Sequence, residues 1–179
     1  MFSIKKTLLL VVDVQGKLAY LMHDKDKLFK NIQGLIQAAR ILEIPVIYTE
    51  QVPEKIGKTI PEIAQFLPNQ NPVEKASFSC WAEEALQRKI RSFMKKEIIV
   101  CGIETHVCVY QTVSDLIDQS YKVQVVADAV SSRTEENRNY ALDRMKSIGG
   151  GLTSTEMIIT ELIKTSQHPK FKEILNLIR

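Results

Sequence analysis

Two short runs of large apolar residues constrain the fold of this chain most strongly. One is Thr7–Val12, which ends at Asp13, and the other is Ile98–Cys101, which precedes the segment Gly102–Val109. Neither run alternates apolar with polar residues, so each predicts a strand that is buried on both faces. Strands of that kind belong to parallel sheets that helices cover on both sides. The chain is therefore expected to fold as an α/β domain.

The rest of the chain alternates between helical and strand patterns. Apolar residues recur at helical spacing over Leu28–Leu42, and Pro45 ends that helix. Further strands are predicted over Val46–Thr49, Val123–Asp128 and Thr153–Ser154. Further helices are predicted over Trp81–Phe93, Glu104–Ser120, Asn137–Ile148, Glu156–Lys164 and Pro169–Arg179, with a loop over Gln51–Gly57 and a short helix from Pro61. This order indicates one domain, residues 1–179, built as a Rossmann-like three-layer α/β/α sandwich around a mainly parallel sheet.

Composition excludes several classes of protein. The formal net charge is only +3, and the lysines are interleaved with glutamates, so no basic stripe for nucleic acid is formed. No segment approaches the roughly 18 consecutive apolar residues of a membrane-spanning helix. Three cysteines without CxxC spacing suggest neither a disulfide framework nor a redox pair. Because the first strand leaves no room for a signal peptide, we expect a cytoplasmic protein that binds neither nucleic acid nor membranes.

Polar residues follow the predicted strands at their carboxyl ends. Asp13 ends the first strand, Glu50 lies just past the second, and Cys108 opens the helix after Ile98–Cys101. Ligands of open parallel sheets bind outside the carboxyl ends of the strands. These three residues are therefore expected to converge on one edge of the sheet.

Cys108 is the candidate nucleophile. At a helix start, free amide groups and the helix dipole favour a thiolate, which is the reactive form of the side chain. Most buried cysteines are instead small apolar fillers. Asp13 is the best candidate base for the thiol proton, although an acid there serves equally well as a cap or a structural residue. Lys75 has unusually apolar neighbours and could favour both anions, or it is an ordinary solvated lysine.

Other chemistries fit the sequence less well. The three histidines lack partners at metal-ligand spacing, so no metal is expected. No GxGxxG motif follows the first strand, and no cofactor is expected. Gln15 stands where an aspartyl-phosphate phosphatase would have its second acid. The run Gly149–Gly151 fits a helix end better than a phosphate-binding loop.

With these residues in view, the chain resembles the isochorismatase-like cysteine hydrolase family from about Thr7 to its end. The family pattern is an acid that ends the first strand (Asp13), a lysine in mid-chain (Lys75) and a Gly-Ile/Val-x-Thr-x-x-Cys-Val segment, here Gly102–Val109. A closer resemblance is to the subgroup of isochorismatase domain-containing proteins. It is carried by Thr49–Pro53, Lys75–Ser79, Asp128–Arg133 and the late segment His168–Lys172.

The resemblance implies a catalytic triad of Asp13, Lys75 and Cys108. It also implies a cis peptide bond between Ile103 and Glu104, and an oxyanion hole formed by the backbone N–H groups of Glu104 and Cys108. The nicotinamidases of the family carry metal-binding histidines after the second strand, and this chain has none there. Isochorismatases that cleave a vinyl ether lack the cysteine. The pocket candidates are Gln15, Glu50, Phe78, Trp81 and His106.

Together these features predict a metal-independent hydrolase that cleaves a small amide, or an ester, through a thioester on Cys108. Glu104 would disfavour anionic substrates unless its side chain turns away from the pocket. The alternative is a catalytically idle binding or scaffold protein that retains the fold. Because the family commonly self-associates, a homo-oligomer that binds a small-molecule substrate is expected.

Overall fold

In a computed structural model that describes residues 1–67 and 70–177, six strands form one sheet in the order β3-β2-β1-β4-β5-β6. All neighbouring strands pair in parallel. The predicted α/β class with a Rossmann-like sheet is confirmed. The strands are β1 (Thr7–Val12), β2 (Val46–Gln51), β3 (Val73–Lys75), β4 (Glu97–Ile103), β5 (Lys122–Ser131) and β6 (Gly151–Thr153).

Helices connect the strands and cover both faces of the sheet. They are α1 (Gly16–Ala19), α2 (Lys25–Ile41), α3 (Pro53–Ile56), α4 (Pro61–Ala64), α5 (Glu84–Ser92), α6 (Tyr110–Asp118), α7 (Glu135–Ser147), α8 (Thr155–Ile163) and α9 (Phe171–Leu175). Short 3-10 turns occupy Ile4–Lys6 and Cys80–Ala82, and a π-helical turn occupies Thr105–Val109.

The sheet separates two hydrophobic cores, because successive residues of a strand face opposite sides. In β1, Leu9 and Val11 belong to the core that includes apolar residues of α2, α8 and α9. Leu8 and Leu10 belong to the core that includes residues of α5, α6 and α7. All six residues of β1 are buried. The uninterrupted apolar run of this strand thus reflects a sheet that is covered on both faces.

Some local elements differ from the sequence-based prediction. The sequence pattern does not predict β3, because this edge strand has only three residues and two of them, Glu74 and Lys75, are charged. The predicted loop over Gln51–Gly57 contains α3, which begins at Pro53. Proline favours the first position of a helix, since its missing N–H would have no partner there.

Two predicted helices are divided or shortened. The helix predicted over Trp81–Phe93 is regular only from Glu84, since Glu83 adopts an extended conformation after the 3-10 turn. The C-terminal helix ends at Leu175, and residues 178–179 of the prediction lie outside the described residues. None of the helices described is long and apolar enough to cross a membrane.

Gly102 offers a test of how closely β4 must approach β1. Its φ is 119°, and a Cβ at this position would lie 2.1 Å from the carbonyl oxygen of Val12. We predict that Gly102→Ala lowers the free energy of unfolding by about 4 kcal/mol, because backbone strain and overpacking add. Urea denaturation measures this loss.

Gly149→Ala is the matched control for that substitution. Gly149 also has a positive φ, 97°, but no neighbouring atom lies within 4 Å of the added Cβ. The control should lose only about 1–2 kcal/mol, the cost of the left-handed conformation alone. Equal losses in the two variants would contradict the proposed close approach of the strands.

Candidate active site

Asp13, Lys75 and Cys108 meet at the carboxyl edge of the sheet. Asp13 directly follows β1, Lys75 is the last residue of β3, and Cys108 lies in the π-helical turn after β4. The Lys75 Nζ is 2.6 Å from Asp13 Oδ2. Both Lys75 Nζ and the Cys108 thiol donate to Gln51 Oε1, at 2.9 and 3.2 Å. The three predicted catalytic side chains therefore share one buried cluster.

The Asp13 carboxylate is fixed from two sides. The Thr49 hydroxyl donates to Oδ1 at 2.7 Å, and the Lys75 ammonium forms an ion pair with Oδ2. No well-aligned hydrogen-bond donor of the described residues reaches Oδ2, so the contact with Lys75 is ionic. Oδ2 therefore retains a lone pair that can accept the thiol proton.

The Lys75 ammonium is saturated by its surroundings. Besides Asp13 and Gln51, it contacts the carbonyl oxygens of Ser77 and Phe78 at 3.0 and 3.2 Å. An ammonium group has three protons, and Gln51, Ser77 and Phe78 accept all three, so none is left for a ligand. Burial lowers the pKa of Lys75, but the Asp13 carboxylate raises it, and the balance holds this pKa above its ordinary value. Lys75 is therefore a permanent cation beside Asp13.

Cys108 is a thiol at rest. Burial raises the pKa of the Cys108 thiol, the Asp13 carboxylate raises it further, and only Lys75 opposes them. The expectation that the helix start favours a resting thiolate is therefore wrong in direction. A nucleophile of this kind needs a base that removes the proton as the new bond forms, and Asp13 is in place to do so.

Gln51 is a site residue that the sequence pattern does not single out. Its backbone is held by Gln15, whose Nε2 donates to Gln51 O at 2.9 Å and whose Oε1 accepts from Gln51 N at 2.6 Å. Thr49 and Gln51 are two residues apart on β2, so their side chains lie on the same face of the sheet. That alternation is the signal that could have found both residues.

A cavity of about 120 Å³ adjoins the Cys108 thiol. Half of its lining residues are apolar. For comparison, a dry cavity of about 150 Å³ holds benzene, so the space suits a small molecule. The cavity is lined by Asp13, Gln15, Leu18, Gln51, Ile56, Phe78, Ile103, Glu104, Val107 and Cys108.

Three of the predicted pocket residues do not line this cavity. Because side chains alternate along β2, Glu50 lies on the opposite face of the sheet from Thr49 and Gln51. Its Oε1 accepts hydrogen bonds from the N–H and hydroxyl of Thr59, both at 2.7 Å. Trp81 is buried in the core that contains α5. His106 lies two residues before Cys108, so it points elsewhere, with Nδ1 2.9 Å from the Ser132 hydroxyl. Of the five pocket candidates, Gln15 and Phe78 line the cavity.

The turn after β4 brings Glu104 to the cavity wall. The Ile103–Glu104 peptide bond is cis, as the family resemblance implies. Glu104 lines the cavity, and its Oε1 accepts from the backbone N–H and the Nε of Arg133, both at 3.1 Å. Within the described residues, no group of three or more His, Cys, Asp or Glu side chains is arranged to hold a metal ion.

Sequence comparison defines the class of protein. A family model described as the isochorismatase domain matches residues 7–157. Isochorismatase domain-containing protein 2 of Danio rerio is 38% identical over 177 residues, which is 98% of this chain and 88% of that relative. The chain belongs to the isochorismatase family.

Solved structures extend the similarity to the whole fold. A structure described as MAR1 ribonuclease from Caenorhabditis elegans has a TM-score of 0.92 and 38% identity, covering 99% of this chain and 91% of that one. YcaC from Pseudomonas aeruginosa, described with hexane-2,5-diol and covalent acrylamide, has a TM-score of 0.92 and 25% identity, covering 98% and 90%.

The charges around Cys108 predict opposite effects of two substitutions. Asp13→Asn removes the anion that raises the pKa of Cys108, so the pKa should fall. Lys75→Met removes the cation that lowers it, so the pKa should rise. The second-order rate of Cys108 alkylation by iodoacetamide, followed against pH, should therefore shift to lower pH in the first variant and to higher pH in the second. Shifts in the same direction would contradict this electrostatic account.

Proposed function

We propose that this chain is a metal-independent cysteine hydrolase that cleaves a small amide, or an ester, through a thioester on Cys108. The observation that carries the proposal is the placement of the Cys108 thiol beside the Asp13–Lys75 ion pair, at the wall of one small cavity. A nucleophile, a base and a fixed cation at a cavity are the parts that acyl transfer requires.

In the first step the Asp13 carboxylate takes the thiol proton while sulfur attacks the carbonyl carbon. A carbon–sulfur bond forms, and the carbonyl electron pair moves to oxygen. The N–H groups of Glu104 and Cys108 donate hydrogen bonds to that oxygen. Negative charge thus passes from Asp13 to the substrate, and Lys75 remains charged throughout. A fixed cation of this kind needs no reorganisation as the charge moves.

Collapse of the tetrahedral intermediate breaks the carbon–nitrogen bond, and the leaving amine takes the proton from Asp13. The thioester remains on Cys108. A water molecule then gives a proton to Asp13 and attacks the thioester carbonyl. When the carbon–sulfur bond breaks, the sulfur regains the proton and the carboxylic acid is released. The cycle restores the ion pair and the thiol.

The residues at the end of β2 support chemistry without a metal. Thr49 and Gln51 are neutral and already bound to the triad, and Glu50 is bound to Thr59. None of them is a histidine. The proposed mechanism uses only side chains and backbone amides of this chain.

The YcaC structure with covalent acrylamide gives independent support. Acrylamide is a small amide with an electrophilic double bond, and thiolates are strong nucleophiles. A protein of the same fold therefore admits a small amide to a nucleophilic group. The cavity beside Cys108 has a size that suits such a molecule.

A second candidate comes from the similarity to the structure described as MAR1 ribonuclease. RNA would bring its phosphate anions to a cavity lined by two acids, and in the described residues no lysine or arginine lines it. Like charges at short range oppose such binding. The amide substrate is therefore favoured, and RNA serves as a competing substrate in the test below.

Self-association and a cytoplasmic location belong to the same proposal. The first is an expectation from the family resemblance and the second from the sequence alone, and size-exclusion chromatography of the purified chain tests the first.

The proposal predicts that Cys108→Ala abolishes turnover of small amides or esters, with a loss of at least about 10³-fold. The assay is a panel of small amides, their esters and a single-stranded RNA. Cys101→Ala is the control, since Cys101 is buried in β4 and does not line the cavity.

Turnover that persists in Cys108→Ala would overturn the cysteine mechanism. Cleavage of RNA alone would favour the ribonuclease. No turnover of any substrate by the wild-type protein would favour the catalytically idle binding protein.

A further inference from the structure

The cavity beside Cys108 is an acidic site. Among its lining residues in the described part of the chain, Asp13 and Glu104 are the charged ones, and both are acids. Each acid is paired with a cation that does not line the cavity: Lys75 is fully buried against Asp13 and donates to three other acceptors, and Arg133 pairs with Glu104. A substrate carboxylate would therefore lose its hydration and meet two carboxylates, and neither of their cations lines the cavity. Such a transfer is strongly unfavourable.

Arg133 orients the Glu104 carboxylate but occupies only one of its two oxygens. Both hydrogen bonds from Arg133 go to Oε1, and no hydrogen-bond donor of the described residues reaches Oε2. The Glu104 side chain is only 9% exposed, whereas that of Arg133 is 59% exposed. One oxygen of an oriented carboxylate is thus left for a ligand. An N–H group of a ligand can donate a charge-assisted hydrogen bond to it.

The other side-chain amides at the cavity are already in use. Gln15 Nε2 donates to two carbonyl oxygens, those of Gln51 and Gly57, and its Oε1 accepts from Gln51 N–H. The Gln51 Oε1 accepts from Lys75 and Cys108, and its Nε2 donates to Ala76 O. Asp13 serves as the base that takes the proton of the Cys108 thiol. Among the carboxylates that line the cavity in the described part of the chain, Glu104 is therefore the one left for substrate recognition.

From this geometry we infer that Glu104 is the specificity-determining residue of the site: it accepts a hydrogen bond from an N–H group of the substrate and excludes substrates that carry a carboxylate. The preferred class is a small neutral or cationic amide with a free N–H donor, such as a carboxamide or a urea. Arg133 is a positioning residue that orients the carboxylate. The inference rests on the proposed function for its substrate, but it can be tested without turnover.

Iodoacetamide and iodoacetate test the inference directly. Both reagents alkylate thiols and have nearly the same size, but one presents an NH₂ group where the other presents a negatively charged oxygen. The quantity measured is the ratio of their second-order rates at Cys108, by peptide mass spectrometry, divided by the same ratio for a free thiol. With the iodoacetamide rate as numerator, this normalised ratio should be about 10 or more in the wild-type protein.

Two variants should move the normalised ratio in opposite directions. Glu104→Gln keeps an oxygen that can accept from Arg133 but removes the charge, so the ratio should fall by about tenfold. Arg133→Gln leaves the Glu104 charge uncompensated, so the ratio should rise. Glu84→Gln is the matched control, because Glu84 pairs with Arg88 at 2.8 Å on the exposed surface. Its ratio should equal that of the wild type.

A wild-type ratio equal to that of the free thiol overturns the inference, as does a ratio that Glu104→Gln leaves unchanged. Absence of labelling by either reagent also overturns it, because a site for carboxamides must admit iodoacetamide. If Glu104→Gln does not fold, the wild-type ratio and Arg133→Gln still decide the matter. If the protein selects iodoacetamide but hydrolyses no amide, the inference about Glu104 stands and the proposed hydrolase function is contradicted.

Discussion

The buried ion pair between Asp13 and Lys75 is the interaction on which the site depends. Two charges withdrawn from water are tolerated only when each satisfies the other, and removal of one leaves the other at a cost of several kcal/mol. The pair joins the ends of β1 and β3 across the intervening β2, which supplies Thr49 and Gln51 to the same cluster. It also fixes the Asp13 carboxyl group beside Cys108, where it can act as the base.

The same cluster explains why a cysteine with a raised pKa can still serve as a nucleophile. Burial and the Asp13 carboxylate hold Cys108 as a thiol. Proton transfer to Asp13 leaves the Lys75 cation next to a neutral acid, which is unfavourable. The transfer therefore occurs only when a substrate carbonyl oxygen can receive the negative charge. Reactivity is thereby tied to the presence of a substrate. A solvent-exposed thiolate would not have this property.

The fold follows from the sequence to the extent that burial alone determines it. The apolar runs of β1 and β4 predict a parallel sheet, whereas β3 is too short and too charged to be detected by hydropathy. The resemblance to a known family supplied Asp13, Lys75 and Cys108, and the structure brings them together. The pocket was harder to predict, because Glu50, Trp81 and His106 are each turned away by local contacts that no pattern encodes. The direction of the Cys108 pKa depends on neighbours that only the fold brings close.

The thioester intermediate on Cys108 can be tested by how it partitions between two nucleophiles. An amide and an ester with the same acyl group should form the same acyl-enzyme, which water or added hydroxylamine then attacks. The measurement is the ratio of hydroxamate to free acid among the products of each substrate. We expect one ratio for both substrates at a given hydroxylamine concentration, because both pass through the same acyl-enzyme. Different ratios, or no hydroxamate beyond that formed without enzyme, would contradict the thioester intermediate.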